Sequence, residues 1–435
     1  MSNQNKQQKP AENVLDAWDM LDVVPLPTND NRYVDCSQVR DSNVVKKLAN
    51  KLRVHARKGK YMHTLFTGYR GDGKSTELFR FMDVIKDDYR TFYFNAEQEF
   101  DLQDVKFPDF LLGISRVVFA RMIKEGLSIP DNLLKQIADW FAQIIEVVDI
   151  KSSAELKAEA STGTPKWFQF VTGKLMTTIK TGGEKRKEVR REMDKQLNQL
   201  LSHVDKLLSS VVETCKKNDN REPVIIFDNL DRLRPEIALE LFHTNGQNLR
   251  TLNCHFVFVI PISLLYMNKL AEFENPIIMH LIPVRQKNNQ PKQDSLDLLK
   301  ELLNRRIVPH KIITEPEEII TKFILASGGH LRDLVRMFRE ACTDALDEPD
   351  EMINEKVSQR IINRVCESYQ KIIKDDVYPY LIEIYKTKDA GSNDRQQDLI
   401  FQTVILEYEE DGKTWSDIHP VLVQGEKFQK LLAES

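Results

Sequence analysis

Cysteine is scarce and scattered: Cys36, Cys215, Cys254, Cys342 and Cys366, with no C-x-x-C pair. This spacing excludes a disulfide framework and a zinc site built on paired cysteines, and it fits a reducing compartment. Long apolar runs are missing as well. None reaches the roughly 18 residues of a membrane span. Residues 1–13 are rich in Gln, Asn and Lys and hold no apolar signal core, so they are expected to form a disordered leader. The expectation is a cytoplasmic chain that does not enter a membrane. Excess charge is small too: a formal net charge of −4 does not describe a general polyanion binder. No appended nuclease, protease or TIR-like effector is recognisable, so any output is expected from another chain.

What is present starts with 435 residues, 41% of them hydrophobic, enough for two or three domains with proper cores. The chain is organised around Gly68-Tyr69-Arg70-Gly71-Asp72-Gly73-Lys74-Ser75-Thr76, which reads G-x-x-x-x-G-K-S. An apolar, β-prone run at 62–67 precedes it and a helical pattern at 76–86 follows. Strand, glycine loop and helix are what phosphate binding requires. Glycines let backbone N–H groups face the phosphates, and the helix N-terminus adds the positive end of its dipole. In this motif Lys74 reaches the β- and γ-phosphates and the Ser75 hydroxyl ligates Mg²⁺.

A second motif is the apolar strand pattern ending at Asp228, a carboxylate placed to hold Mg²⁺ through water opposite Ser75. It continues as Asn229-Leu230-Asp231-Arg232. Asn229 cannot accept a proton from an attacking water, which leaves Asp231 as the nearest candidate base. Asp231 reads equally well as a cap for the following helix, and Arg232 as its ion-pair partner or as a group facing a phosphate or a neighbouring subunit. Strand patterns at 91–95, 254–260 and 277–282 complete a set of five. Ser263, after the fourth strand, is a candidate γ-phosphate sensor or a plain turn residue. Tyr33 and Val34 are candidates to pack on a base, although ordinary packing explains them better.

Five strands with helical connections predict an α/β fold, a parallel sheet covered by helices with ligands at the strands' carboxyl ends. The expected organisation is a P-loop ATPase core at 14–290, interrupted by a helical insertion at about 101–217, then a helical lid at 291–348 and a winged-helix-like domain at 349–435. Within the insertion, an apolar stripe from Val189 to Val211 predicts one helix over about 184–217. Its start is basic (Lys185, Arg186, Lys187, Arg190, Arg191) but interleaved with Glu184, Glu188 and Glu192, so a solvated helix end is the better reading. In the lid, Gly328-Gly329 precedes a helix whose first turn holds Arg332, placed to swing over a bound phosphate or, on the plainer reading, to pair with Asp333 or Glu340. Residues 375–435 carry thirteen Asp/Glu against six Lys/Arg, a balance of −7, the opposite of a DNA-binding footprint.

The phosphate loop, the strand ending Asp228-Asn229-Leu230-Asp231-Arg232 and the Gly-Gly-x-x-Arg ending at Arg332 together resemble the AAA+ ATPases. They look closest to the branch shared by origin-recognition-type initiators and STAND signalling ATPases. The resemblance implies ATP and Mg²⁺ as cofactors, assembly into rings, filaments or clusters, and site roles for Lys74, Ser75, Asp228 and Arg332. A trans-acting arginine is also implied, for which Arg250, Arg305 and Arg306 are the possibilities. The leading expectation is an ATP-binding, slowly hydrolysing regulatory switch that works with itself or a partner chain, as in prokaryotic defence systems. The alternatives are a DNA-associated loader or initiator, which the acidic C-terminal part disfavours, and a nucleotide-stabilised scaffold that scarcely hydrolyses ATP.

Overall fold

A computed structural model describes residues 9–149, 153–161, 163–267, 270, 272–391 and 395–435. The chain divides into two compact units, one made of residues 1–47, 68–83 and 278–435 and the other of residues 48–67 and 84–277. Each has its own apolar core. No helix among the described residues is long and apolar enough to cross a membrane.

Among the described residues the larger sheet has five strands, β1 (His63–Gly68), β2 (Tyr89–Asn95), β3 (Glu222–Asp228), β4 (His255–Ile260) and β5 (Ile277–Met279). Their order is β2-β3-β4-β1-β5, and the β1–β4, β2–β3 and β3–β4 pairings are parallel. β3 and β4 are buried along almost their whole length, which is why they read as continuous apolar runs rather than alternating ones. Phe227 and Phe258 stack across the two strands, and Phe100 and Phe110 pack tilted against Phe227. The fold is therefore α/β, as the strand count and helical connections predict. β5 ends at Met279, short of the expected 282.

The stretch expected as an insertion is helical: Phe107–Lys124, Asp131–Val148, Ser153–Glu159, Thr164–Thr181, Gly183–Lys195 and Leu197–Asp219. The long helix expected over 184–217 is two helices, divided at Gln196. No glycine or proline marks the division. The Trp140 indole N–H donates to Gln196 Oε1 (3.1 Å) and Gln199 Oε1 (3.0 Å), a contact between distant residues that local periodicity does not encode.

The other unit gathers the N-terminal segment, the helix Lys74–Ile85, and the helices Gln293–Asn304, Pro316–Ser327 and Leu331–Ala345. Of the expected leader, residues 1–8 lie outside the described residues. Ala11 bridges to Ile307, and the Asn13 side chain caps the helix Val14–Met20. The chain ends with helices Glu355–Gln370, Tyr378–Thr387 and Gln396–Phe401, followed by an antiparallel hairpin of β6 (Ile405–Glu410) and β7 (Lys413–Ile418). Its turn is Asp411-Gly412, both at positive φ, the usual solution for a two-residue hairpin loop.

Candidate nucleotide-phosphate site

The chain leaves β1 at Gly68 and re-enters helix at Lys74. Gly71 (φ 95°) and Gly73 (φ 96°) adopt conformations that L side chains rarely reach, and they flank Asp72. Such alternation turns successive N–H groups to one side, the concavity that binds anions. The loop's carbonyls meet cationic side chains instead. Lys74 Nζ donates to Gly68 O (2.9 Å) and Tyr69 O (2.8 Å). His330 Nε2 donates to Arg70 O (2.7 Å), and an Arg40 guanidinium nitrogen donates to Asp72 O (2.9 Å).

Asp72 is fully buried, and its carboxylate lies 3.1 Å from the same Arg40 nitrogen. Burial raises its pKa, against the pull of Arg40. Tyr69 is also buried, and its hydroxyl donates to Ile405 O (3.0 Å) in β6. Thr76 Oγ1 accepts from Leu26 N–H (3.1 Å), fixing the N-terminal segment on the first turn of the loop helix. Tyr33 donates to Glu77 (3.1 Å) and its ring lies beneath the Arg80 guanidinium (3.9 Å), while Val34 sits in the core.

Arg332 lies directly over the loop: a Cβ built on Gly71 would fall 2.4 Å from Arg332 Nε and 2.5 Å from its Cβ. Sequence reasoning identified the arginine but not its neighbours. The Gly328-Gly329 pair does more than stop a helix. A Cβ on Gly329 would lie 1.8 Å from Ile282 O, and one on Gly328 would meet Leu406 and Pro420 at 2.6 and 2.9 Å. His330 and Arg40 were missed altogether. The signal for His330 is its place between the glycine pair and Arg332; for Arg40 there is none.

Asp228, Asn229 and Asp231 belong to the unit that contains the sheet. Register pairs Asn95 with Asp228, so both stand at the carboxyl ends of their strands. Asp228 Oδ2 accepts from the Tyr93 hydroxyl (2.6 Å) and Oδ1 from Asn229 N–H (2.7 Å), which fixes the carboxylate. Asn229 has φ 66°, a region that asparagine tolerates better than glutamate, and its Nδ2 donates to Asn95 Oδ1 (2.9 Å). Asp231 is buried inside the short 3₁₀ turn Leu230–Arg232. The next helix, Pro235–Leu239, has Arg234 at its N-cap, so Asp231 does not cap it. Arg232 forms an ion pair with Glu97 rather than with Asp231. Ser263 is fully buried, and its Oγ has no hydrogen-bond partner among the described residues.

The arginines considered as trans-acting groups are engaged within the chain: Arg250 with Glu272 O, Arg305 with Glu301 and Tyr33 O, Arg306 with Arg32 O and Leu302 O. Arg306 is buried. Three of the five cations in the basic run pair with carboxylates outside it: Arg186 and Arg190 with Asp104, Arg190 also with Asp109, and Lys185 with Asp149.

A left-handed glycine loop with an ammonium and a guanidinium facing it has the donor chemistry of a phosphate cradle. The residues present therefore fit a nucleotide phosphate. Mg²⁺ takes hard oxygen ligands and keeps several waters, a chemistry that a hydroxyl such as that of Ser75 or a carboxylate such as that of Asp228, each taken by itself, can supply. Among the described residues no group of three or more His, Cys, Asp or Glu converges to hold a metal without such help.

The strand, glycine loop and helix on a parallel sheet define a P-loop α/β fold. No protein-family model and no curated protein sequence matches the chain. Among solved structures it is similar to Cdc6p from Pyrobaculum aerophilum, at 13% identity and a TM-score of 0.37, over 92% of this chain and 98% of that one.

Proposed function

We propose that the chain is an ATP-dependent regulatory switch of the AAA+ kind, with residues 291–348 as its lid and the C-terminal helices and hairpin as a winged-helix module. The observation that carries this reading is Arg332 laid across Gly71 within one compact unit, which puts a lid cation on the phosphate loop. Backbone N–H groups of 71–76 and the Lys74 ammonium would bind the phosphates, and Ser75 and Asp228 would hold Mg²⁺. Bound Mg²⁺ neutralises phosphate charge and aligns the phosphoryl group for attack. Arg332 would sense the γ-phosphate, so that the lid reports whether ATP or ADP is present. Asp231 is the candidate base. Asn229 offers no proton acceptor, and its backbone aims the side chain at Asn95, so this position supplies no base and turnover is slow.

That same observation favours, as a second reading, a nucleotide-stabilised scaffold that barely turns over. A DNA loader is disfavoured, since the basic run spends its charge on Asp104, Asp109 and Asp149. Assembly with further copies or with a partner chain would convert the nucleotide state into an output. The test is nucleotide titration of the parent chain and of Lys74→Ala. ATP binding that survives the substitution unchanged sinks the reading. Turnover unaffected by Asp231→Ala selects the scaffold over the switch.

A further inference from the structure

The lid places a histidine, not only an arginine, on the phosphate loop. His330 is buried, with its two ring nitrogens facing two acceptors: Nε2 is 2.7 Å from Arg70 O and Nδ1 is 2.9 Å from Asp333 Oδ2. Nδ1 meets Asp333 as an ion-pair contact and not in hydrogen-bond geometry, so with Nε2–H donated to Arg70 O, protonation of Nδ1 sets a cation beside that carboxylate. The segment cannot easily shift, because Gly329 is pressed against Ile282 O. Asp333 is itself a junction. The same Oδ2 accepts from the Tyr369 hydroxyl (2.8 Å) and from His419 Nε2 (3.2 Å), and the Tyr369 and His419 rings stack at 4.4 Å.

Resting on the nucleotide reading above, we propose that His330 is a positioning residue for the phosphate loop. As imidazolium it holds the Arg70 carbonyl outward, keeping the loop's N–H groups turned to the phosphates, and it draws that hold from Asp333. ATP affinity is then tuned by pH and tied to the C-terminal residues that share Asp333.

The charges around His330 agree in sign. Asp333 on its own helix and Asp72 from the loop attract the proton, and together with the Arg70 carbonyl they raise its pKa despite full burial. Arg40 faces Asp72, the Lys74 ammonium donates to Gly68 O and Tyr69 O while also lowering the Asp72 pKa, and His330 in turn lowers the pKa of His419. Asp333 is held well below the usual carboxylate range, overcoming burial through His330 and His419, so it stays the anion. A raised histidine pKa means that the clamp is fully present below the ordinary value of about 6.5 and is lost as pH rises through the folded value.

The experiment is ATP titration of the full chain between pH 6 and 9, for the parent, His330→Gln, Asp333→Asn and Lys74→Ala. The parent should lose affinity on the order of tenfold across the range, the worth of one hydrogen bond to a charged group. His330→Gln should be weaker than the parent at pH 6.5 and nearly flat with pH. Asp333→Asn should move the parent's midpoint to lower pH, a readout that general loosening of the lid would not produce. A flat parent profile overturns the proposal without any variant. So does a His330→Gln profile with the parent's slope, or a midpoint that Asp333→Asn leaves in place. The nucleotide reading fails separately, if Lys74→Ala binds as the parent does or if the parent binds no ATP, and the proposal falls with it.

Discussion

Arg332 and Gly71 occupy adjoining space so tightly that no side chain fits between them: a Cβ on Gly71 would meet Nε, Cβ and Cδ of Arg332 at 2.4, 2.5 and 2.8 Å. The glycine is required for the arginine as well as for the loop's own φ of 95°. Gly71→Ala therefore carries two penalties, a left-handed alanine costing about 1–2 kcal/mol and a collision with the lid. We expect at least a tenfold loss of ATP affinity. Adding Arg332→Gly removes the collision, the Cβ contact included, but not the strain, so the double variant should lose less than the two single losses combined, by roughly 1 kcal/mol. Titration of the four proteins decides it, and strict additivity would mean that Arg332 does not rest on the loop.

The loop is held from its other side by Arg40, buried against the fully buried Asp72. Arg40→Met strands a carboxylate in the interior, at a cost of roughly 3–5 kcal/mol. Burial already raises the Asp72 pKa. Without its counter-charge Asp72 should hold a proton to still higher pH. A carboxyl whose folded pKa exceeds its unfolded one favours folding at low pH and loses that contribution as pH rises through the folded value. The variant should thus recover part of its denaturant midpoint between pH 7.5 and pH 5, and Asp72→Asn in the same background should recover part of it at both. A variant insensitive to both changes would place the damage elsewhere.

The sheet, the glycine loop and the helix that carries Arg332 were legible because each is written in short-range pattern. Apolar runs mark buried strands, glycines mark left-handed turns, and G-K-S marks the start of a helix. What stayed hidden was written between distant residues. Nothing near Gln196 announces the helix break there, or the Trp140 indole that donates to its side chain. Nothing in the basic run 185–191 shows that Asp104 and Asp109 absorb Arg186 and Arg190. Tyr69 looked like one more loop residue, yet its hydroxyl donates to Ile405 O and its carbonyl accepts from Lys74. Asn229 gave a chemical clue in the sequence and a conformational one in the structure, where its positive φ explains the residue type.

Acid stability should depend on Glu222, at the start of β3. Its Oε2 accepts from His255 Nε2 (2.8 Å) and Oε1 lies 2.5 Å from Lys216 Nζ. His255, more than Lys216, lowers its pKa to about 2, against partial burial. A depressed carboxylate contributes stability above the unfolded value of about 4.3 and loses it as pH falls toward the folded one. Between pH 5 and pH 2 the parent should therefore lose more stability than Glu222→Gln, as read from denaturant midpoints. Parallel losses would remove Glu222 from the account.

Asn229 tests whether turnover is limited by residue type or by where the backbone aims the side chain. At φ 66° its Nδ2 reaches Asn95 Oδ1, and its N–H donates to Asp228. Glycine accepts this conformation freely, so Asn229→Gly should stay within about 1 kcal/mol of the parent and hydrolyse ATP at the same rate. Glutamate is strained there by roughly 1–2 kcal/mol. Leaving along the same Cα–Cβ direction, it meets the Asn95 oxygen with the Asp228 carboxylate close by. Asn229→Glu should consequently be less stable and no faster. Single-turnover hydrolysis with saturating ATP and Mg²⁺ separates the two cases. A glutamate variant faster than the parent would show that the missing proton acceptor, rather than the direction of the side chain, sets the rate.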